Sequence, residues 1–171
     1  MKKTSYILII KLLTTKIIYT MSYTQIKKTQ LIKCDLDTIW DFISAPENLK
    51  KITPKSMLFN ILSTSNKKMY PGMIIAYKVA PILRIPITWI TEITHVKKRR
   101  YFVDEQRLGP YKMWHHEHIL EETQKGILMT DIITYIPPLG IIGKIMNFLF
   151  IKRKVNSIFD YRRKVLEEIF N

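Results

Sequence analysis

The residues with most chemical capacity lie in one stretch, His115-His116-Glu117-His118, with Asp104 before it and Asp131 after it. Strand side chains alternate between two faces. His116 and His118 therefore share one face, and His115 and Glu117 take the other. A His–Asp pair held away from water titrates near neutrality and serves as general acid or base. Asp131 is expected to pair with His116 or His118, which makes these three the candidate catalytic residues. Two histidines on one face also suit zinc as partial ligands, with His95 as the histidine able to approach from another strand. The helical His-Glu-x-x-His spacing of metalloproteases is absent, so neither a metal nor another cofactor is expected. The chain has no Gly-x-Ser-x-Gly, no phosphate-binding glycine loop and only five glycines. Hydrolase, kinase and dinucleotide-enzyme readings have no support from such a sequence.

The elements that hold these groups follow from hydropathy and turn chemistry. Thr24 to Cys34 reads as a two-faced strand. Asp35 or Asp37 caps a short helix carrying Ile39, Trp40, Phe42 and Ile43. Pro46 opens a second short helix, which Pro54 stops. Strands are then predicted over Met57 to Leu62, Met73 to Val79, Ile87 to Val96, Tyr101 to Leu108, Met113 to Glu121 and Ile127 to Ile136. Breaks fall at Tyr70-Pro71-Gly72, Lys97-Lys98-Arg99-Arg100, Gly109-Pro110 and Gln124-Lys125-Gly126. Consecutive strands with short turns make an antiparallel meander.

From Ile141 onward, Ile145, Phe148 or Leu149, Lys152, Val155, Phe159, Arg162, Leu166 and Ile169 mark one helical face. Thirty helical residues span about 45 Å and a ten-residue strand about 33 Å, so a bend or break is expected near Phe150 to Lys154. The fold class is α+β: a curved antiparallel sheet of about seven strands wrapped around a long C-terminal helix, with two short helices after the first strand. One helix against a strongly curved sheet leaves space between them.

Two faces compete for that space. One carries Phe102, Asp104 and Gln106; Trp114, His116 and His118; and Met129, Asp131, Ile133 and Tyr135. The other carries Tyr101, Val103, Glu105 and Arg107 with their alternating neighbours on the next strands. The first is assigned to the interior because it groups aromatic rings with the His and Asp residues. A buried unpaired polar group costs about 1–3 kcal/mol. These groups must therefore pair with one another, hold water or meet a ligand. A hydrogen-bonded network that merely fixes the sheet register is the alternative to a pocket lining.

Composition bounds the partners. The chain has 171 residues, 47% hydrophobic and 25% charged, as in one ordinary globular domain. Lys and Arg number 28 against 14 Asp and Glu, a net charge of +14. Such a field favours anionic partners. The basic residues are scattered and lack interleaved aromatics, so nucleic acid is not expected, whereas peripheral contact with an anionic membrane is compatible. Cys34 is the single cysteine, which excludes an intrachain disulfide and suits a small core residue in a cytoplasmic protein. A monomer or weak dimer is expected. Residues 1–20 open with Lys2 and Lys3 and then Tyr6-Ile7-Leu8-Ile9-Ile10, but Lys11 and Lys16 interrupt the apolar run. They read as an extension ahead of a start at Met21, or as a weak membrane-associating segment. Residues 21–171 form the domain.

Several segments resemble the SRPBCC ligand-binding family, in particular one of its bacterial branches. They are Pro71-Gly72-Met73-Ile74-Ile75-Ala76-Tyr77, Trp89-Ile90-Thr91-Glu92-Ile93, the run from Phe102 through Gly109-Pro110-Tyr111 to His118, Met129-Thr130-Asp131 through Tyr135, and Ile158-Phe159-Asp160-Tyr161-Arg162. The resemblance covers roughly residues 23 to 170. It implies the helix-grip fold shared by START domains, birch-pollen-allergen-like proteins and polyketide cyclases/dehydrases. It further implies binding of a hydrophobic small molecule (lipid, quinone or polyketide-like) between sheet and terminal helix, as carrier or sensor. The alternative is a cyclase or dehydratase using His116, His118 and Asp131. The expected ligand-facing residues are Trp89, Phe102, Asp104, Gln106, Trp114, His116, His118, Met129, Asp131 and Tyr135.

Overall fold

The computed structural model describes residues 23–64, 68–81 and 85–170; the proposed extension, residues 1–20, lies outside them. Seven strands form one antiparallel sheet: β1 (Thr24–Ile32), β2 (Asn60–Thr64), β3 (Met73–Val79), β4 (Ile87–Lys97), β5 (Tyr101–Leu108), β6 (Met113–Thr123) and β7 (Gly126–Ile136). Their order across the sheet is β1-β7-β6-β5-β4-β3-β2. Successive strands from β2 to β7 pair antiparallel, and the first strand closes against the last. The predicted α+β layout is the observed one.

Period-two burial fixes which face is inside. In β7 the side chains of Ile127, Met129, Asp131, Ile133 and Tyr135 are all buried, as alternation requires. Gly126 makes the tight return from β6: its φ is +123°, and a Cβ there would lie 2.4 Å from the Ile32 carbonyl oxygen. Glycine alone tolerates both conditions.

Helix α1 (Leu36–Ile43) and a 3-10 turn (Pro46–Lys50) follow β1. Asp35 caps α1, accepting from the Thr38 N–H at 2.8 Å and the Thr38 hydroxyl at 2.6 Å. Its buried residues Ile39, Trp40 and Ile43 join the main core, where Trp40 meets Phe102 edge-on at 6.3 Å. Cys34 is partly buried against the same core, as its size suggests. Strand β2 begins at Asn60 and not at Met57. Met57 ends a second 3-10 turn (Lys55–Met57) with its side chain buried, and Leu58 is left-handed at φ 49°, which precludes strand pairing there.

The C-terminal helix comes in segments. Leu139 and Gly140, with φ of 63° and 54°, turn the chain into α2 (Gly140–Met146). A π-helical turn (Asn147–Ile151) then leads into α3 (Lys152–Phe170). The interruption begins three residues ahead of the expected Phe150 to Lys154 and overlaps it at Phe150 and Ile151. Asn147 accounts for its place: it accepts from the Tyr135 hydroxyl at 2.8 Å and donates to Thr24 Oγ1 at 2.8 Å, which ties the turn to β7 and β1. π-bulges absorb such an offset.

Helix α3 buries Val155, Phe159, Arg162 and Leu166 against the concave sheet. The predicted face holds from Val155 to Leu166 and fails outside it, because Ile145, Phe148, Leu149, Lys152 and Ile169 are exposed. Apolar spacing alone does not reveal where the sheet beneath a helix ends.

A polar ring in an aromatic cavity

Cross-strand register assembles the polar residues. Asp104 of β5 stands opposite His116 of β6, and His118 of β6 opposite Asp131 of β7. Each carboxylate also reaches the diagonal histidine. Asp104 Oδ2 lies 3.2 Å from His116 Nδ1 and 2.8 Å from His118 Nε2. Asp131 Oδ1 lies 2.9 Å from His116 Nε2 and 3.1 Å from His118 Nδ1. Two imidazoles are thus held between two carboxylates. Phe102 stacks on His118 at 3.9 Å, and Phe159 meets His116 edge-on at 5.1 Å.

Arg162 completes the ring from α3. Its Nη1 lies 3.6 Å from Asp131 Oδ1, and its Nη2 lies 3.4 Å from His118 Nδ1. Two carboxylates and one guanidinium leave a charge of −1 if both imidazoles are neutral. One bound proton makes the buried group neutral, and low dielectric favours that state. Burial opposes charging His116, but Asp104 and Asp131 outweigh it and raise its pKa. Burial also lowers the pKa of His118, and the charge on His116 lowers it further. Burial works against ionised Asp104 and Asp131 too. His116 beside the first and Arg162 beside the second nevertheless hold both carboxyls well below the usual range.

With His116 charged, the distances suit donation from its Nδ1 to Asp104 and from its Nε2 to Asp131. A proton on His118 Nε2 makes the shorter of that ring's carboxylate contacts, to Asp104, and leaves Nδ1 to accept from Arg162.

Beside this ring, between the sheet and α3, lies a cavity of about 150 Å³. Phe59, Tyr77, Trp89, Phe102, Tyr111, Trp114 and Phe159 contribute aromatic rings to its wall, and aliphatic side chains such as Ile75, Ile93 and Val155 fill in between them. Trp89 and Trp114 meet edge-on at 5.4 Å, and the Tyr77 hydroxyl pairs with Thr91 Oγ1 at 3.0 Å. Burial pushes the Tyr77 and Tyr111 phenols well up, so both stay neutral. Two buried donors, Trp89 Nε1 and Arg162 Nε, have no hydrogen-bond partner, and both residues line the cavity.

Of the residues expected to face a ligand, Trp89, Phe102, Asp104, Trp114, His116 and His118 line this cavity. The others have different tasks. Gln106 braces the Gly109-Pro110 turn, donating to the Tyr111 carbonyl at 2.7 Å and accepting from its N–H at 3.2 Å. Met129 and Asp131 border a smaller cleft of about 60 Å³ between β1 and α3. Tyr135 is spent on Asn147. Asp131 therefore acts on the histidines from behind and does not border the cavity itself. His95 is exposed, with Nδ1 on its neighbour Thr94 at 3.1 Å, and does not approach the pair. Arg162 was legible as a helix-face residue but not as a site residue; a lone Arg between Phe159 and Leu166 on an apolar stripe was the available signal.

Solved structures with the same architecture span nearly the whole chain. Protein CV1439 from Chromobacterium violaceum aligns with a TM-score of 0.67 at 10% identity, covering 85% of this chain and 96% of its own. The ginseng major latex-like protein 151 from Panax ginseng gives 0.65 at 12%, covering 87% and 98%. TTHA0849 from Thermus thermophilus gives 0.63 at 11%, covering 85% and 95%.

This is the helix-grip fold.

No family model matches the sequence, and no curated protein matches it. The residues around the cavity of this helix-grip chain must therefore speak for themselves. Ligand pockets for drug-sized molecules occupy about 300–1,000 Å³, and a 150 Å³ apolar cavity accommodates about one benzene ring.

Proposed function

We propose that the chain binds a compact, ring-bearing hydrophobic molecule with a hydrogen-bond acceptor, and acts as its carrier or sensor. The observation that carries this reading is the cavity itself, with seven aromatic side chains in its wall and two lining residues, Trp89 and Arg162, whose Nε1–H and Nε–H have no partner. Each orphaned donor costs about 1–3 kcal/mol, which a carbonyl, phenol or carboxylate oxygen recovers. Aromatic walls favour a flat guest through edge and face contacts. A quinone head or one ring of a polyketide has these properties. The ligand class agrees with what the resemblance to the SRPBCC family implies. Native mass spectrometry of protein taken from its source cells tests the reading. It is expected to show a co-purifying small aromatic mass that is lost on denaturation. An empty protein that also fails to bind aromatic ketones, phenols and quinones contradicts it.

A second observation supports peripheral contact with an anionic membrane. Around α2 and the π-turn, Leu139 is 74% exposed and Phe148 85%, and Ile141, Ile142, Ile145, Met146, Leu149 and Phe150 are exposed as well. Of these, Leu139, Met146 and Phe150 border an open apolar groove of about 830 Å³. Lys152, Arg153 and Lys154 follow at once, and the chain's net charge is +14. Apolar side chains with adjoining cations are the pattern of interfacial binding. No helix among the described residues is long and apolar enough to cross a membrane. The expected contact lies on one leaflet, through the start of the terminal helix. Retention on vesicles containing anionic lipid is expected to fall steeply with salt; retention on neutral vesicles alone contradicts the reading.

A further inference from the structure

Asp104, His116 and His118 each present a donor atom, and the three atoms lie within 4.8 Å of one another. The distances from Asp104 Oδ2 to His116 Nδ1 and to His118 Nε2 are 3.2 and 2.8 Å. Ligands of a tetrahedral zinc ion at about 2.0–2.2 Å stand about 3.3–3.5 Å apart. Those two separations must widen by up to about 0.7 Å to admit an ion, and the histidine donor atoms stand within 4.8 Å of each other. All three residues line the cavity, so the side of such an ion not covered by protein faces the guest space.

What lies behind the donors is the second independent observation. The outer nitrogens of both rings, His116 Nε2 and His118 Nδ1, converge on Asp131 Oδ1 at 2.9 and 3.1 Å. A carboxylate behind each imidazole fixes its tautomer and raises its basicity, as metal-ligating histidines require. Arg162 holds that carboxylate from α3. With neutral imidazoles the group keeps one negative charge; in the metal-free protein a proton balances it, and a bound cation takes that proton's place.

We propose that Asp104, His116 and His118 bind a divalent transition-metal ion in the cavity wall, with at least one coordination position open to the cavity. Two imidazoles and one carboxylate suit zinc, cobalt or iron(II). Magnesium and calcium prefer oxygen ligands throughout. Uptake displaces the proton between His116 Nδ1 and Asp104. The His118 proton moves from Nε2 to Nδ1, where Asp131 receives it, so one proton leaves for each ion bound. The inference goes beyond the organic ligand proposed above, because metal binding is measured without that ligand.

The test is titration of chelator-treated full-length protein with cobalt(II), read by visible d–d absorption, followed by displacement with zinc. One ion per chain is expected, with saturable bands. His118→Ala and Asp104→Ala should abolish them, and Asp131→Asn should weaken binding by about 10–100-fold. His95→Ala and His115→Ala should change nothing. No stoichiometric binding by wild type, binding that survives in folded His118→Ala or Asp104→Ala, or binding lost in His115→Ala overturns the proposal. If the inner variants fail to fold, zinc is added to isotope-labelled wild type and the imidazole resonances are followed. Shifts of His116 and His118 uphold the site, and unmoved resonances overturn it.

Discussion

The rings of His116 and His118 lie tilted at 40° with centroids 3.8 Å apart, yet their pKa values move in opposite directions. Two imidazolium ions at that distance in a buried site repel strongly, whereas one imidazolium between two carboxylates completes the charge balance. The same side-chain type, two residues apart on one strand, thus holds two protonation states.

The pH dependence of stability follows from that split. Above about pH 6.5 the unfolded histidines are neutral while folded His116 keeps its proton, so its stabilising contribution is lost as pH rises through its raised value. Below about pH 6.5 both unfolded histidines take up protons while folded His118 resists, so stability falls again. Metal-free protein should be most stable near pH 6.5 in denaturant titrations. Both carboxyls are depressed on folding, so a further loss should set in as pH falls below about 4. His118→Gln should flatten the limb between these two values. An unchanged limb contradicts the assignment of the neutral ring.

Removing Arg162 leaves an unbalanced carboxylate in the interior. Arg162→Met should cost about 3–5 kcal/mol in equilibrium unfolding, the usual penalty for breaking a buried pair from one side. Adding Asp131→Asn should recover part of the loss, because the orphaned charge goes with it. Strictly additive losses would mean that the guanidinium does not act on Asp131.

Gly143 lies so close to the end of β7 that a Cβ there would fall 1.6 Å from the Pro138 carbonyl oxygen. Gly143→Ala must push α2 away from that turn, with an expected cost of about 1–3 kcal/mol. The displacement should loosen the Tyr135–Asn147 tie, read as faster hydrogen exchange in the π-turn. A variant as stable as wild type argues against tight contact there.

The membrane surface is tested by Phe148→Ser combined with Phe150→Ser. Both side chains are largely exposed, so their loss should leave stability within about 0.5 kcal/mol. Retention on vesicles of mixed neutral and anionic lipid should nevertheless drop severalfold. Unchanged retention would move the contact elsewhere on the basic surface.

The meander of consecutive strands and the inner face were legible, because period-two alternation from Phe102 to Tyr135 leaves two choices and the grouping of rings with His and Asp separates them; the pairing of β1 with β7 was not. The partners of individual polar residues were not. Gln106 and Tyr135 have the inward parity of His116, but local geometry turns one onto the Tyr111 backbone and the other onto Asn147. Arg162 enters from a helix some 44 residues beyond His118, a contact no local pattern encodes. The exposed run from Ile141 to Phe150 reads as core by hydropathy, because sequence period does not register where the covering sheet stops. Cavity volume, fixed by how large rings pack against one another, was equally invisible.

The indole N–H of Trp89 offers the most direct measurement of the central claim, that an acceptor-bearing ring occupies the aromatic cavity. Its resonance, assigned through Trp89→Phe, is followed in nitrogen-15 spectra while acetophenone is added. A saturable downfield shift is predicted, with weaker binding in Arg162→Met. A Trp89 signal that stays in place while resonances near Leu139 and Phe150 move would put the guest in the outer groove and contradict the account.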